Sequence, residues 1–136
     1  MTTKPGSHVV GEATLPRGPE AAGLARTMVS RSLDCRAAPE LVPDACLLVS
    51  ELVTNSVHHA DDSTHAPVHV RVITLDDVVR VEVTDQGNGA VHRRAPNLTE
   101  GGFGLDLVEQ IAARWGVKHT ASTQVWFELA PCARPA

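Results

Sequence analysis

The stretch from Val68 to Thr84 constrains the fold more than any other. Val68 to Leu75 (VHVRVITL) and Val78 to Thr84 (VVRVEVT) are rich in β-branched residues, and only Asp76-Asp77 separates them. Two such runs joined by two residues predict a hairpin, because so short a connection permits only antiparallel neighbours. In the second run Val79, Val81 and Val83 alternate with Arg80, Glu82 and Thr84. Successive strand side chains point to opposite faces, so one face of this pair is expected to be buried and the other polar or helix-covered.

Helical patterns precede the hairpin. From Glu20 to about Leu33, Ala22, Ala25, Met28, Val29 and Leu33 recur at helical spacing, with Glu20 near the positive end of the dipole. A second helix is expected from about Glu40 to Ala60; Pro43 falls near its start, where proline is tolerated. Ahead of both, His8 to Leu15 predicts an edge strand that ends at the Pro16-Arg17-Gly18-Pro19 break.

After the hairpin, Asp85-Gln86-Gly87-Asn88-Gly89 ends the strand, and Ala90 to Glu100 shows no periodicity and reads as a long loop carrying Arg93 and Arg94. Gly101-Gly102-Phe103-Gly104 then opens a helix expected from Leu105 to Arg114. After Trp115-Gly116 come two short strands, Val117 to Thr120 and Thr123 to Leu129. These expectations assemble into one domain over residues 8–130, between a flexible start at 1–7 and a tail at 131–136.

Composition narrows the function classes. With 136 residues, 43% of them hydrophobic and 21% charged, the chain can bury the core of a single globular domain. A net charge of -4 gives no basic footprint for nucleic acid. No apolar run approaches the roughly 18 residues that span a bilayer, and Met1 to Gly11 lacks the apolar centre of a secretory signal, so a cytoplasmic location is expected. Cys35, Cys46 and Cys132 form neither a CxxC pair nor an even set. His58, His59 and His65 cluster without the spacing of a metal site.

The residues that could carry chemistry lie in three places. Within the second helix, Glu51 and Asn55 are four residues apart and share a face, while Leu48, Leu52, Val53 and Val57 supply the apolar stripe. A carboxylate there can take a proton or hold a water, and an amide oxygen is a neutral hard ligand suited to magnesium. The same pair on a solvated helix face would do neither. Asp85 ends a strand ahead of Gly87 and Gly89, which permit close approach of backbone to a flat ligand, although D-x-G also serves as an ordinary strand-ending turn. Gly102 and Gly104 at a helix start expose free amides and the positive dipole end, which suit phosphate.

The order of these pieces is more specific than any one of them: E-x-x-x-N on a helix, a hairpin ending in D-x-G-x-G, a loop, G-x-G opening a helix, then a strand pair. From about Leu41 to Leu129 the chain resembles the GHKL ATPases, which include type II topoisomerases, MutL-type repair proteins and sensor histidine kinases. With SELVTN, EGGFGLDLV, RWGV and VWFEL it is most similar to the single-domain anti-sigma factor serine kinases. The resemblance implies an α+β two-layer sandwich, the Bergerat fold, in which a mixed, mainly antiparallel sheet is covered on one face by about three helices. It implies Glu51 as catalytic base, Asn55 as magnesium ligand, Asp85 as the adenine-binding aspartate with Gly87 and Gly89 shaping its pocket, and residues 90–101 as an ATP lid. Gly102, Phe103, Gly104 and Leu105 would lie at the phosphates, and Thr123 would support the adenine contact.

The cofactors implied are ATP and Mg2+. The partners implied are a sigma factor and an anti-anti-sigma protein of STAS type, with a homodimer as a further assembly and neither nucleic acid nor membrane. Two features depart from the pattern: His58 stands where relatives often carry Lys or Arg, and Thr120-Ala121-Ser122-Thr123-Gln124 stands where they often carry Gly and Lys. A binding module that uses ATP only to set its shape is the alternative function. A sensor histidine kinase or a DNA-directed ATPase would need domains that the sequence does not display.

Overall fold

The computed structural model describes residues 6–59, 66–85 and 104–131. In chain order the elements are β1 (Ser7–Leu15), α1 (Ala21–Leu33), α2 (Leu41–His59), β2 (Val68–Leu75), β3 (Val78–Asp85), α3 (Gly104–Ile111), β4 (Arg114–His119) and β5 (Thr123–Leu129). The strands form one sheet in the order β1-β2-β3-β5-β4.

The β2–β3 hairpin folds as its pattern dictates. Leu75 pairs with Val78, Val72 with Val81 and Val70 with Val83. Asp76 takes a left-handed φ of 55°, a conformation that Asp tolerates better than most residues and that closes the two-residue turn. Val70, Val72, Val79, Val81 and Val83 are buried, and β5 adds Phe127 and Leu129 to the same face. Helix α1 meets that face with Ala21, Ala25, Val29 and Leu33, spaced four residues apart, and α2 with Ala45, Leu48, Val49, Leu52 and Val53. Helix α3 closes the layer with Leu105 and Val108.

The alanines let α1 and α2 pack closely, and Gly11 lets β1 approach α1. A Cβ on Gly11 would lie 1.8 Å from the Ser32 hydroxyl, where no side chain fits.

The opposite face of the sheet is polar. Arg71 donates to Glu82 at 3.0 Å, Arg80 donates to both Glu82 (2.8 Å) and Glu128 (3.0 Å), and Arg114 pairs with Glu128 at 3.5 Å. Arg80 also lies over the Trp126 ring, 4.1 Å from its centroid. These contacts tie β2, β3, β5 and β4 side by side. Burial pushes the Glu82 carboxyl up, but the hydrogen bonds from Arg80 and Arg71 outweigh it and hold it below the ordinary glutamate value.

All four pairings among the described strands are antiparallel, where a mixed, mainly antiparallel sheet was expected. The reason lies in the connections. Two helices rather than one separate β1 from β2, so the chain returns antiparallel. The strands linked through α3, β3 and β4, do run parallel, but β5 is inserted between them.

The third helix ends at Ile111 rather than Arg114, and β4 begins at Arg114 and takes in Trp115-Gly116, ahead of the strand start expected at Val117. Gly116 pairs with Trp126, and a Cβ there would meet the indole at 2.8 Å. That glycine serves close approach across a ladder, not chain reversal. The Ala113 amide donates to the Glu128 carbonyl at 2.8 Å and draws the backbone into the sheet directly after the helix.

Candidate nucleotide site

Helix α2 carries Glu51 and Asn55 one turn apart, and its apolar stripe seats it on β3, β5 and α3. Glu51 is half-buried. Asn55 is 8% exposed, and its Oδ1 is buried with no hydrogen-bond partner among the described residues. An amide oxygen out of water and unmatched costs about 1–3 kcal/mol, so it is a standing acceptor for a donor or a hard cation. Among the described residues no three His, Cys, Asp or Glu side chains converge to form a metal cage of their own. Asn55 therefore fits magnesium in the manner this ion favours, with one or two protein oxygens and the remainder from phosphate and water.

Asp85 is the last residue of β3 and is 2% exposed. The register places it between Val68 on β2 and Thr123 on β5, with its side chain on the helix-covered face. Thr123, the first residue of β5, is 3% exposed, and its hydroxyl lies 3.4 Å from His119 Nδ1. A buried carboxylate needs a counter-charge, and the structure supplies one that the motifs do not contain. Arg17, in the connection between β1 and α1, donates from Nη2 to Asp85 Oδ1 at 2.5 Å. The same guanidinium donates from Nη1 to the Ser56 carbonyl at 2.8 Å and from Nε to the Ala66 carbonyl at 2.9 Å. Ser56 is the neighbour of Asn55, so one planar group spans from α2, beside the amide, to the aspartate.

Sequence reading treated Arg17 only as part of a Pro-Gly break. No local signal marks it: a buried aspartate demands a cation, but nothing in the sequence says which of 12 basic residues supplies it. Of the other expected site residues, Leu105 is buried at the start of α3, where Gly104 begins the helix, and His58 is exposed near the end of α2. Gly87, Gly89, Gly102, Phe103 and the expected lid at 90–101 lie outside the described residues. The structure thus brings Asn55, Asp85 and Thr123 onto one side of the sheet beneath α2, with Glu51 a turn further along that helix.

A five-stranded antiparallel sheet under three helices, with a buried asparagine on the central helix and a buried aspartate at a strand end, is the architecture of a nucleotide-binding class. The family model for the histidine kinase-like ATPase domain matches residues 15–129, and the chain belongs to that family. Within it, the chain is similar to the serine-protein kinase RsbW of Oceanobacillus iheyensis, being 30% identical over 115 residues that cover 74% of this chain and 73% of that protein. In fold it is similar to the crystal structure of the RsbU and RsbW domains of a Mycobacterium tuberculosis protein. That likeness has a TM-score of 0.70 at 23% identity and covers 92% of this chain but 33% of that longer one.

Proposed function

We propose that this protein is an ATP-dependent protein-serine kinase of the anti-sigma factor type. It transfers the γ-phosphate of ATP to a serine of an anti-anti-sigma protein with a STAS fold, and it holds a sigma factor when that partner is modified. The observation that carries the reading is the Asn55 oxygen, buried and unmatched among the described residues on the central helix, where Arg17 joins the next residue, Ser56, to Asp85. Similarity to RsbW, named a serine-protein kinase, supports the choice of serine as acceptor. The described residues include no helix long and apolar enough to cross a membrane, which accords with a cytoplasmic regulator of transcription.

Each residue has a separate task in this reading. Asp85 accepts a hydrogen bond from the exocyclic amine of adenine and so selects ATP over GTP, which presents an oxygen there. Thr123, opposite it in the ladder, supports that contact. Gly102, Phe103, Gly104 and Leu105 would meet the phosphates, the last two at the start of α3, where the positive dipole end favours anions. Asn55 would hold magnesium through Oδ1. The ion, when bound, neutralises phosphate charge, which is most of what phosphoryl transfer asks of a protein besides positioning. Glu51 accepts the proton of the attacking serine hydroxyl as the serine oxygen–phosphorus bond forms. The bond between the γ-phosphorus and the bridging oxygen breaks, and ADP leaves with that electron pair.

Incubation of the protein with γ-labelled ATP, magnesium and candidate STAS domains tests the reading. Label on a partner serine is the expected result. Tight binding of ATP and partner without transfer would assign the protein to nucleotide-dependent binding instead.

A further inference from the structure

We propose that Arg17 is a positioning residue for adenine selection: a fixed counter-ion that compensates the Asp85 charge and aims its carboxylate at the base. The inference rests on the reading of Asp85 as the adenine acceptor. Its ground is the geometry of the guanidinium. The Arg17 side chain is 9% exposed, and all three of its nitrogens donate, to Ala66 O, Ser56 O and Asp85 Oδ1.

The three-point attachment decides between positioning and blocking. If Arg17 merely occupied the place of the ligand, an incoming base would have to withdraw it, and withdrawal breaks two carbonyl hydrogen bonds as well as the ion pair. One exocyclic amine cannot replace those. Arg17 therefore stays in place when nucleotide binds, and the aspartate is presented with its charge already compensated. Two carbonyl contacts alone would make Arg17 an ordinary tie between the ends of α2 and β2. The third arm reaches the residue on which base recognition turns. Because Ser56 adjoins Asn55, the same side chain also fixes the spacing between the adenine end of the site and the magnesium end. Lysine cannot do this, since it is a point charge without the planar fork that meets three acceptors at once.

The test compares ATP with purine riboside triphosphate, which has the same phosphates and sugar but no exocyclic amine. Affinities are measured by calorimetry for wild type, Arg17→Gln and Arg17→Lys, with thermal melts alongside. Wild type is expected to prefer ATP by about tenfold or more, the value of one hydrogen bond to a charged group. Arg17→Gln is expected to lose most of that preference while binding purine riboside triphosphate within about threefold of wild type. Arg17→Lys is expected to lose about threefold or more of the preference, and it decides the matter if the Gln variant does not fold.

A role confined to holding the fold together would lower both affinities equally, and that result overturns the inference. So does a wild-type preference retained in a folded Arg17→Lys variant. If wild type itself binds both triphosphates equally, the assignment of Asp85 fails; if it prefers ATP and the variants do too, only the role of Arg17 fails.

Discussion

Replacing Asp85 with Asn removes one charge from the best-buried ion pair of the described residues and leaves the shape almost unchanged. Arg17 and Asp85 are 9% and 2% exposed at a separation of 2.5 Å. Deleting one partner of such a pair costs about 3–5 kcal/mol, but asparagine keeps an oxygen to accept from Arg17. The loss is therefore nearer the difference between a charged and a neutral hydrogen bond, about 1–1.5 kcal/mol. For a domain of this length that corresponds to a fall in Tm of roughly 3–6 °C.

The effect on ligand adds a sign to the magnitude. Arg17 retains the amide oxygen, so the amide NH2 replaces the second carboxylate oxygen, and a donor then faces the adenine amine. ATP affinity is expected to fall about ten- to a hundredfold, while GTP, which presents an oxygen there, is hurt less. Calorimetric titration of both nucleotides, with a melt of each protein, checks the two halves. An Asp85→Asn protein with unchanged Tm and unchanged preference for ATP over GTP would refute both the pairing and the adenine assignment.

Other perturbations test the frame around the site. Gly116→Ala sets a Cβ 2.8 Å from the Trp126 ring; such overpacking costs about 1–3 kcal/mol, and a melt should register a drop of several degrees, whereas an unchanged Tm would show that Trp126 is not held where β4 and β5 place it. Glu82 has a folded-state carboxyl held below its ordinary value by Arg80 and Arg71, so its contribution is present above the unfolded glutamate value of about 4.3 and is lost as pH falls through the lower folded value. Urea melts of wild type and Glu82→Gln should accordingly converge as pH drops from about 5 to 3, and a gap that stays constant over that range would contradict the assignment.

The parts of this fold that are legible in the sequence are those whose signal is local. The β2–β3 hairpin is readable because two period-2 runs flank a two-residue turn, and α2 is readable because its polar pair and apolar stripe repeat within one helix. The beginning of β4 was not readable. Trp115-Gly116 carries no alternation of its own, and the glycine is explained only by Trp126, ten residues on and across a ladder. Arg17 shows the same difficulty at longer range, since its three acceptors lie 39, 49 and 68 residues away and share no periodicity with it. That β3 and β4 form no parallel pair follows from where β5 inserts, and strand order is not written into any single segment. For the candidate site, the motif residues Asn55, Asp85 and Thr123 could be named in advance, whereas the cation that makes a buried aspartate tenable could not.

In the proposed reaction Glu51 and Asn55 do different work, and a split between binding and transfer separates the two roles. Wild type, Glu51→Ala and Asn55→Ala are each titrated with ATP with and without magnesium, then given γ-labelled ATP and a STAS-type partner. General-base catalysis contributes roughly a hundred- to ten-thousandfold. Glu51→Ala is expected to bind ATP within a few-fold of wild type while transfer to serine falls by that factor, and Asn55→Ala to lose the magnesium-dependent part of binding. Wild-type protein that binds magnesium-ATP and the partner tightly yet never transfers phosphate would overturn these roles, as would a Glu51→Ala variant that transfers at the wild-type rate.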